Sequence, residues 1–249
     1  APPSDVTSQI RINFSMVLNL LLSHSPAQVE DLLKRSFATF QLIRSLGPRA
    51  PRRALAQSHR HLWDDFRHHL AFLQTHGFVD ENGRLTADGE WASQLRVDQP
   101  LLIAEGFRLE AFPQKDPALM GGIVAAFVNE NETDDHLPQN RQPRDLVRAY
   151  HQIRRKLAPF ARHMYKEHFS VRPLFLRPAV TLYHWARGAP WDEVVRLSEL
   201  EEGNLAMLIL RTADNLRHIR TLARVFPEAA RAAGEAVEAI LKDPVVTEL

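Results

Sequence analysis

The chain has 249 residues, of which 45% are hydrophobic and 24% charged, so it can bury a sizeable core and a wholly disordered protein is excluded. A net charge of +1 does not indicate a class of binding partner, so only local clusters of charge can do so. The absence of cysteine excludes disulfides, thiolate zinc sites and a cysteine nucleophile, and it is consistent with a reducing cytoplasm, where we place the protein.

The first residues and the apolar runs of the sequence do not indicate targeting to a membrane. Residues 1–5 have no basic segment followed by an apolar one, so they do not form a signal peptide. No apolar run approaches the roughly 20 residues that span a bilayer, and we expect no membrane partner. Because the chain does not begin with methionine, we expect a fragment or a processed product.

Apolar residues at helical spacing predict a first helix over residues 9–22. Pro26 follows Ser25 where a second helix begins, because proline is favoured at the first helical position, and this helix is predicted to continue to Phe40. Residues 46–53 are rich in proline and glycine, which is typical of a linker.

A third helix is predicted over residues 55–76, followed by Gly77 where a helix-ending glycine is expected. Two short strands around the Asn82-Gly83 turn then predict a β-hairpin. Thr86 is a candidate N-cap for the next helix. Helices followed by a small hairpin are typical of a winged helix.

No further strand signal follows residue 99. Helices are predicted over residues 100–111, 116–130, 143–168, 173–187, 190–197, 203–225 and 227–241. The fold class is therefore mainly α, with a winged-helix domain carrying a small β-hairpin in residues 1–98 and an all-helical bundle in residues 99–249. Gly121 and Gly122 lie inside one predicted helix, where close helix packing is expected.

Motifs for catalysis are absent from the sequence. It contains neither G-x-x-x-x-G-K-[ST] nor G-x-G-x-x-G, and no Ser/His/Asp set stands in a recognisable context. The sequence has 12 histidines but no H-E-x-x-H, and they form no recognisable set of metal ligands. We therefore predict no catalytic and no metal-binding residue, while the enzymatic nature of the whole protein stays open.

Positive charge is concentrated in residues 141–172. The cations are Arg141, Arg144, Arg148, Arg154, Arg155, Lys156, Arg162, Lys166 and Arg172. Only Asp145 and Glu167 oppose them. A helix this basic can follow phosphates, or it can be a solvated face that docks on an acidic neighbour, and the sequence favours neither.

Several strings in chain order together resemble superkiller-type helicases, the exosome-assisting RNA helicases and their bacterial relatives. They occupy residues 8–21, 33–41, 77–89, 127–130, 183–188 and 203–211. The first resembles the segment after the second RecA-like domain, the third resembles the wing of a winged helix, and the last three resemble helices of the C-terminal DSHCT domain. The ordered set is more specific than any single string.

This resemblance implies a division of labour within a larger protein. Two RecA-like motor domains, which this chain lacks, would bind and hydrolyse ATP with magnesium. The winged helix would pack on those domains, and the bundle would close a ring over single-stranded nucleic acid, RNA rather than DNA. One long ratchet helix, here residues 203–225, would lie along the strand.

By the same resemblance, Glu130 matches a position that approaches a base, and Arg211 matches a basic position on the ratchet helix. Asn204 and Arg217 are further candidate contacts on that helix. Where relatives commonly have a basic residue in its first turn, this chain has Met207, which can pack on a base but cannot form a charge-assisted hydrogen bond.

Many eukaryotic members insert an arch domain where this chain has only residues 42–55, so the resemblance implies a bacterial type without an arch. Our leading hypothesis is the C-terminal accessory module of an ATP-dependent helicase that grips single-stranded nucleic acid during unwinding. The first alternative is a protein-interaction scaffold without direct nucleic-acid contact. The second, less favoured, is a duplex-DNA regulator that reads sequence through the winged helix.

Overall fold

The structure, a computed structural model, describes residues 12–35, 52–128, 137–138 and 141–246. The chain divides into two compact units, Ala1–Ser93 and Gln94–Leu249. Both are helical in the described part, which confirms the predicted fold class at the level of mainly α. The division falls a few residues before the boundary that the sequence suggests, between residues 98 and 99.

The N-terminal unit contains helices α1 (Phe14–Leu21), α2 (Pro26–Lys34), α3 (Arg52–Thr75) and α4 (Ala87–Ala92). Pro26 begins α2 as predicted, and Ser25 and Gln28 form a reciprocal capping box there. The predicted linker, residues 46–53, is wrong at residues 52 and 53, because α3 begins at Arg52 and not at residue 55. The rest of residues 42–55, and with it the question of an arch, lies outside the described residues.

An aromatic cluster forms the core of this unit where α1 packs on α3. The Phe14 ring lies 5.5 Å from the Phe72 ring and 4.7 Å from the His69 ring, measured between centroids. His69 Nδ1 is also 2.7 Å from the carbonyl oxygen of Asp65. Burial lowers the pKa of His69 below its usual value, because the charged imidazolium loses water there.

The predicted β-hairpin is reduced to one antiparallel bridge between Val79 and Leu85, and the described residues contain no longer strand. Two causes shorten it. The side chain of Asp80 accepts hydrogen bonds from the backbone N–H groups of Asn82 and Arg84, which tightens the turn. Thr86 then caps α4 through the N–H of Gly89 at 3.2 Å, so a helix starts where a strand would continue.

The C-terminal unit contains seven α-helices within the described residues. They are α5 (Pro100–Arg108), α6 (Pro117–Val128), α7 (Arg144–Lys166), α8 (Leu176–Ala186), α9 (Trp191–Ser198), α10 (Glu202–Arg220) and α11 (Pro227–Ile240). A 3-10 turn, Thr221–Arg224, follows α10. Each helix predicted after residue 99 is present with slightly different ends.

Helix α6 lies at the centre of the C-terminal unit, and every residue from Met120 to Val128 is buried. It packs against α7, α8, α10 and α11. A Cβ atom on Gly122 would stand 2.8 Å from the carbonyl oxygen of Ala179 on α8, whereas one on Gly121 would meet only the Cβ of Ala236, at 3.8 Å. The expected close packing is therefore confirmed at Gly122.

Helix α7 buries one face and exposes the other. The buried residues are Leu146, Tyr150, Ile153, Leu157, Phe160 and Met164. Tyr150 also donates a hydrogen bond from its hydroxyl to the carbonyl oxygen of Leu174, at 2.5 Å. Pro159 stands inside the helix on the exposed side, where water can hydrate the carbonyl that loses its donor.

Candidate nucleic-acid interface

Helix α10 is held in the unit by an apolar stripe. The buried residues of this stripe are Leu205, Leu208, Ile209, Ala213, Leu216 and Ile219. They face α6 and α11, which lie against α10. The opposite side of α10 is exposed to solvent, so a ligand can bind there.

Three of the predicted contact residues share one face of α10. Asn204, Met207 and Arg211 are spaced three and four residues apart, which places them on neighbouring turns. Asn204 is exposed, and Met207 exposes 55% of its surface, as one of several large apolar residues that are exposed in the described part of the chain. The first turns of α10 therefore present an apolar contact next to polar ones.

Arg217 lies about 120° around α10 from Arg211, given 3.6 residues per turn. Its guanidinium donates to Asp214 at 2.7 Å, and both side chains are largely exposed. Such a surface pair is weak and opens readily. The fifth predicted contact residue, Glu130, lies outside the described residues.

Arg211 is engaged within the protein. Its Nη2 donates to Oδ1 of Asp98 at 2.8 Å, and Nη2 of Arg172 donates to the same oxygen at 2.9 Å. Asn215, one turn beyond Arg211, donates to Oδ2 of Asp98 at 3.0 Å and accepts from the backbone N–H of Asp98 at 2.8 Å. We call these four residues the Asp98 cluster.

Two guanidinium groups, those of Arg172 and Arg211, donate to one carboxylate in the Asp98 cluster. Asp98 is 16% exposed, while Arg211 and Arg172 are each about a third exposed. The backbone is tied in as well, because Gln99 Oε1 accepts from the N–H of Arg172 at 2.9 Å. The cluster therefore fixes the position of the Arg211 guanidinium.

Sequence reasoning missed the Asp98 cluster. Asp98 is separated from Asn215 by 117 residues, so no local spacing connects them. Arg172 was recognised only as one of the cations in the basic run. The only local signal for Asp98 is its position two residues before Pro100, where a helix begins. An acidic residue before a helix is too common to identify a distant partner.

The structure separates the predicted basic run into residues with different roles. Lys156 donates to the carbonyl oxygens of Leu109 and Glu110 and so caps the end of α5, at 2.6 and 3.1 Å. Arg154 stacks over the Tyr150 ring at 5.4 Å. The remaining cations of α7, at positions 144, 148, 155, 162 and 166, are exposed.

An acidic residue opens α7. Asp145 accepts a hydrogen bond from the Tyr183 hydroxyl at 2.8 Å and from the N–H of Leu146 at 2.9 Å. Burial alone would raise the pKa of Asp145, but these bonds and the nearby Arg187 charge lower it overall. The pKa of Tyr183 is raised by burial and by donating to that carboxylate.

The described part of the chain contains no cluster of three or more histidine or acidic side chains that could hold a metal ion. Nor does it contain a helix that combines the length and the apolar character needed to cross a bilayer. Neither finding bears on the residues outside the described ranges.

Comparison with known proteins places these features in a family context. The family model described as the DSHCT (NUC185) domain matches residues 82–248. The chain is 25% identical over 230 residues to the DExH-box ATP-dependent RNA helicase DExH15 of Arabidopsis thaliana, with 89% of the chain and 20% of that protein covered.

Two further relatives come from an animal and a yeast. Superkiller complex protein 2 of Homo sapiens is 29% identical over 172 residues, which cover 67% of the chain and 14% of that protein. Antiviral helicase SKI2 of Saccharomyces cerevisiae is 24% identical over 169 residues, which cover 64% of the chain and 13% of that protein. The chain thus spans a fifth or less of the length of these relatives, and the resemblance to superkiller-type helicases is confirmed.

Proposed function

The chain belongs to the DSHCT (NUC185) domain family, and from this premise we propose that it is the C-terminal module with which an ATP-dependent RNA helicase grips single-stranded RNA. Two relatives whose names include helicase, from a plant and a yeast, support the helicase part of this proposal. ATP and magnesium would be bound by RecA-like motor domains elsewhere in the same protein.

The observation that carries the RNA contact is the solvent face of α10. Met207 exposes more than half of its surface between the polar side chains of Asn204 and Arg211. A thioether can pack on the flat face of a base without demanding a particular sequence. Helix α10 thus fits the role of a ratchet helix that holds successive nucleotides without reading them.

We further propose that the N-terminal unit is a winged helix in which the Val79–Leu85 bridge forms a minimal wing. The supporting features are the long helix α3, the bridge that follows it and the capped helix α4. A wing this short has little surface for entering a duplex groove, which favours a structural role over duplex readout.

The purified chain should bind a single-stranded RNA oligonucleotide weakly and should not hydrolyse ATP. Binding should weaken steeply with salt, because phosphate contacts release counterions. Fluorescence anisotropy at several salt concentrations and a phosphate-release assay measure the two properties. ATP turnover by this chain would contradict the division of labour.

The α10 face is best tested at Met207. Met207→Arg should strengthen RNA binding by about fivefold or more, since a charge-assisted contact to phosphate replaces an apolar one. Met207→Leu is the matched control and should bind like the original chain. Equal affinity of all three proteins would argue against RNA contact by this face.

Arg217→Glu complements this test, because Arg217 pairs only weakly with Asp214 and its loss should not disturb the fold. Arg211→Glu is unsuitable as a binding test, since it would place a second carboxylate against Asp98 and disrupt the Asp98 cluster. We expect Arg217→Glu to weaken RNA binding while thermal unfolding stays unchanged.

The interaction-scaffold alternative has one specific feature in its favour, namely that Arg211 is held by Asp98 at 2.8 Å. An arginine committed to its own protein adds less to a nucleic-acid surface. If neither the Met207 nor the Arg217 variants change RNA binding, the scaffold becomes the better account of α10.

A further inference from the structure

The exposed side of α7 carries a row of cations that the proposed α10 contact does not use. Its members, called the basic stripe below, are Arg144, Arg148, Arg155, Arg162 and Lys166. Their spacings of four, seven, seven and four residues keep all five within about 40° around the helix. The stripe runs about 33 Å along the helix axis, at 1.5 Å per residue.

None of the five stripe residues forms an ion pair or a hydrogen bond through its side chain with another residue in the described part of the chain. The other cations of this region differ, since Lys156 caps α5, Arg154 stacks on Tyr150 and Arg172 binds Asp98. Five like charges along one line repel each other, so the stripe is a feature that a polyanion would stabilise.

An aromatic side chain borders the stripe near its C-terminal end. Tyr165 exposes 76% of its surface, beside Lys166 and one turn after Arg162. A tyrosine so exposed contributes little to folding, because it removes little apolar surface from water. Its ring face is accessible for stacking against a planar group.

We propose that the basic stripe and Tyr165 form a second nucleic-acid surface, which follows the phosphates of a single strand along α7 and stacks one unpaired base on Tyr165. Cationic rows with interspersed aromatic rings are how proteins hold single strands without sequence preference. The requirement for an unpaired base selects a single strand over a duplex, whose bases are already stacked.

The features of α7 favour nucleic acid over an acidic protein as the occupant. A phosphodiester strand presents charge at regular intervals along a line, which matches a straight row of cations at turn spacing. An acidic protein surface would not require an exposed aromatic ring at one end. The stripe lies on a different helix from Met207 and Arg217, so each surface can bind in the absence of the other.

The charge part of the proposal is tested with the full chain and a single-stranded oligonucleotide. Arg148→Ala with Arg155→Ala should lower the slope of log K against log salt by about 1.4, since each phosphate contact to a single strand contributes about 0.7. The matched control is Arg196→Ala with Arg231→Ala, two exposed arginines on α9 and α11. An equal loss in the control would show general electrostatics and overturn the proposal.

The stacking part is tested at Tyr165. Tyr165→Ala should weaken binding by about fivefold or more, the lower end of the range for one stacked base, while Tyr165→Phe keeps the ring and the affinity. On an abasic sugar–phosphate oligomer of the same length, Tyr165→Ala and the original chain should bind equally. An unchanged affinity of Tyr165→Ala for the normal strand would overturn the stacking role.

Two more outcomes separate the competing explanations. If polyglutamate of equal charge competes as well as the oligonucleotide and Tyr165→Ala has no effect, the stripe is a docking face for acidic protein and the proposal fails. If the stripe variants weaken binding while Met207→Arg and Arg217→Glu have no effect, the α10 contact fails and the stripe stands. Circular dichroism confirms that every variant is folded.

Discussion

The carboxylate of Asp98 restrains the side chains that bind to it. Its carboxylate binds two guanidinium groups and the amide of Asn215, so it joins the segment before α5, the segment before α8, and α10. The guanidinium of Arg211 is consequently anchored, while about a third of the side chain stays exposed. A nucleic-acid contact by Arg211 would start from a held conformation and lose less side-chain entropy on binding.

Asp98→Asn should lower the free energy of unfolding of the C-terminal unit by about 2 kcal/mol, because two partly buried cations lose their counter-charge. Urea denaturation followed by circular dichroism measures the change. Asp214→Asn is the matched control, since it breaks an exposed pair and should cost less than about 0.5 kcal/mol. Similar values for the two variants would show that the Asp98 cluster does not hold the unit together.

For single residues, the sequence predicts the candidate contact residues but not the side chains that they contact in the fold. The exposed position of Met207 could be predicted from its place off the apolar stripe of α10. The engagement of Arg211 could not, because its partner Asp98 lies 113 residues away in the chain. Helical periodicity tells which side chains point outward, whereas a contact across the fold depends on how distant helices pack.

The packing of helix α6 against α8 depends on one small residue. Gly122 allows α6 to approach α8 so closely that a Cβ atom would stand 2.8 Å from the carbonyl oxygen of Ala179. The adjacent Gly121 faces a wider gap, with Ala236 at 3.8 Å. Two neighbouring glycines of one helix therefore have different roles, which a sequence containing both cannot reveal.

Gly122→Ala should destabilise the C-terminal unit by about 1–3 kcal/mol, since overpacking must push α8 away. Gly121→Ala should be neutral or stabilise the unit by up to about 1 kcal/mol, because alanine is the better helix former. Thermal unfolding of both variants measures the difference. A destabilisation of equal size at both positions would place the close contact elsewhere.

In the N-terminal unit, the contact of α3 with α1 should make stability depend on pH through His69. Its pKa is lowered in the folded protein, so below the ordinary value of 6.5 the unfolded chain binds more protons than the folded one. Stability should therefore be complete above pH 6.5 and be lost as the pH falls from 6.5 through the lowered pKa.

Urea denaturation at pH 7.5 and pH 5.5 tests this dependence on the full chain. His69→Gln should reduce the difference between the two pH values, whereas His61→Gln, at an exposed position of α3, should retain it. A pH dependence that His69→Gln leaves intact would assign the effect to other groups.

Several helix starts could be predicted because their signals are local. Pro26, Pro100 and Pro227 each stand at a helix start, and Thr86 caps α4. The hairpin was overpredicted for a related reason. Its turn signal is local and correct, but strand length depends on whether the next residues are needed for a helix, as they are at Thr86.

At the scale of the whole molecule, the C-terminal unit has a core of its own. Helices α6, α8, α10 and α11 bury apolar faces against one another. Residues 94–249 expressed alone should therefore retain helical circular dichroism and unfold cooperatively on heating. A broad, non-cooperative transition would show that this unit needs the rest of the chain.

Because α6 is buried on all sides, its backbone amides are protected from hydrogen exchange with solvent. Solvent reaches the amide hydrogens of such a helix only when the surrounding helices come apart, so their exchange with deuterium follows the opening of the entire unit. The solvent side of α7 exchanges through local fraying instead. Deuterium uptake in residues 120–128 therefore reports how readily the C-terminal unit opens. A ligand that slows this uptake must stabilise the closed state of the whole bundle.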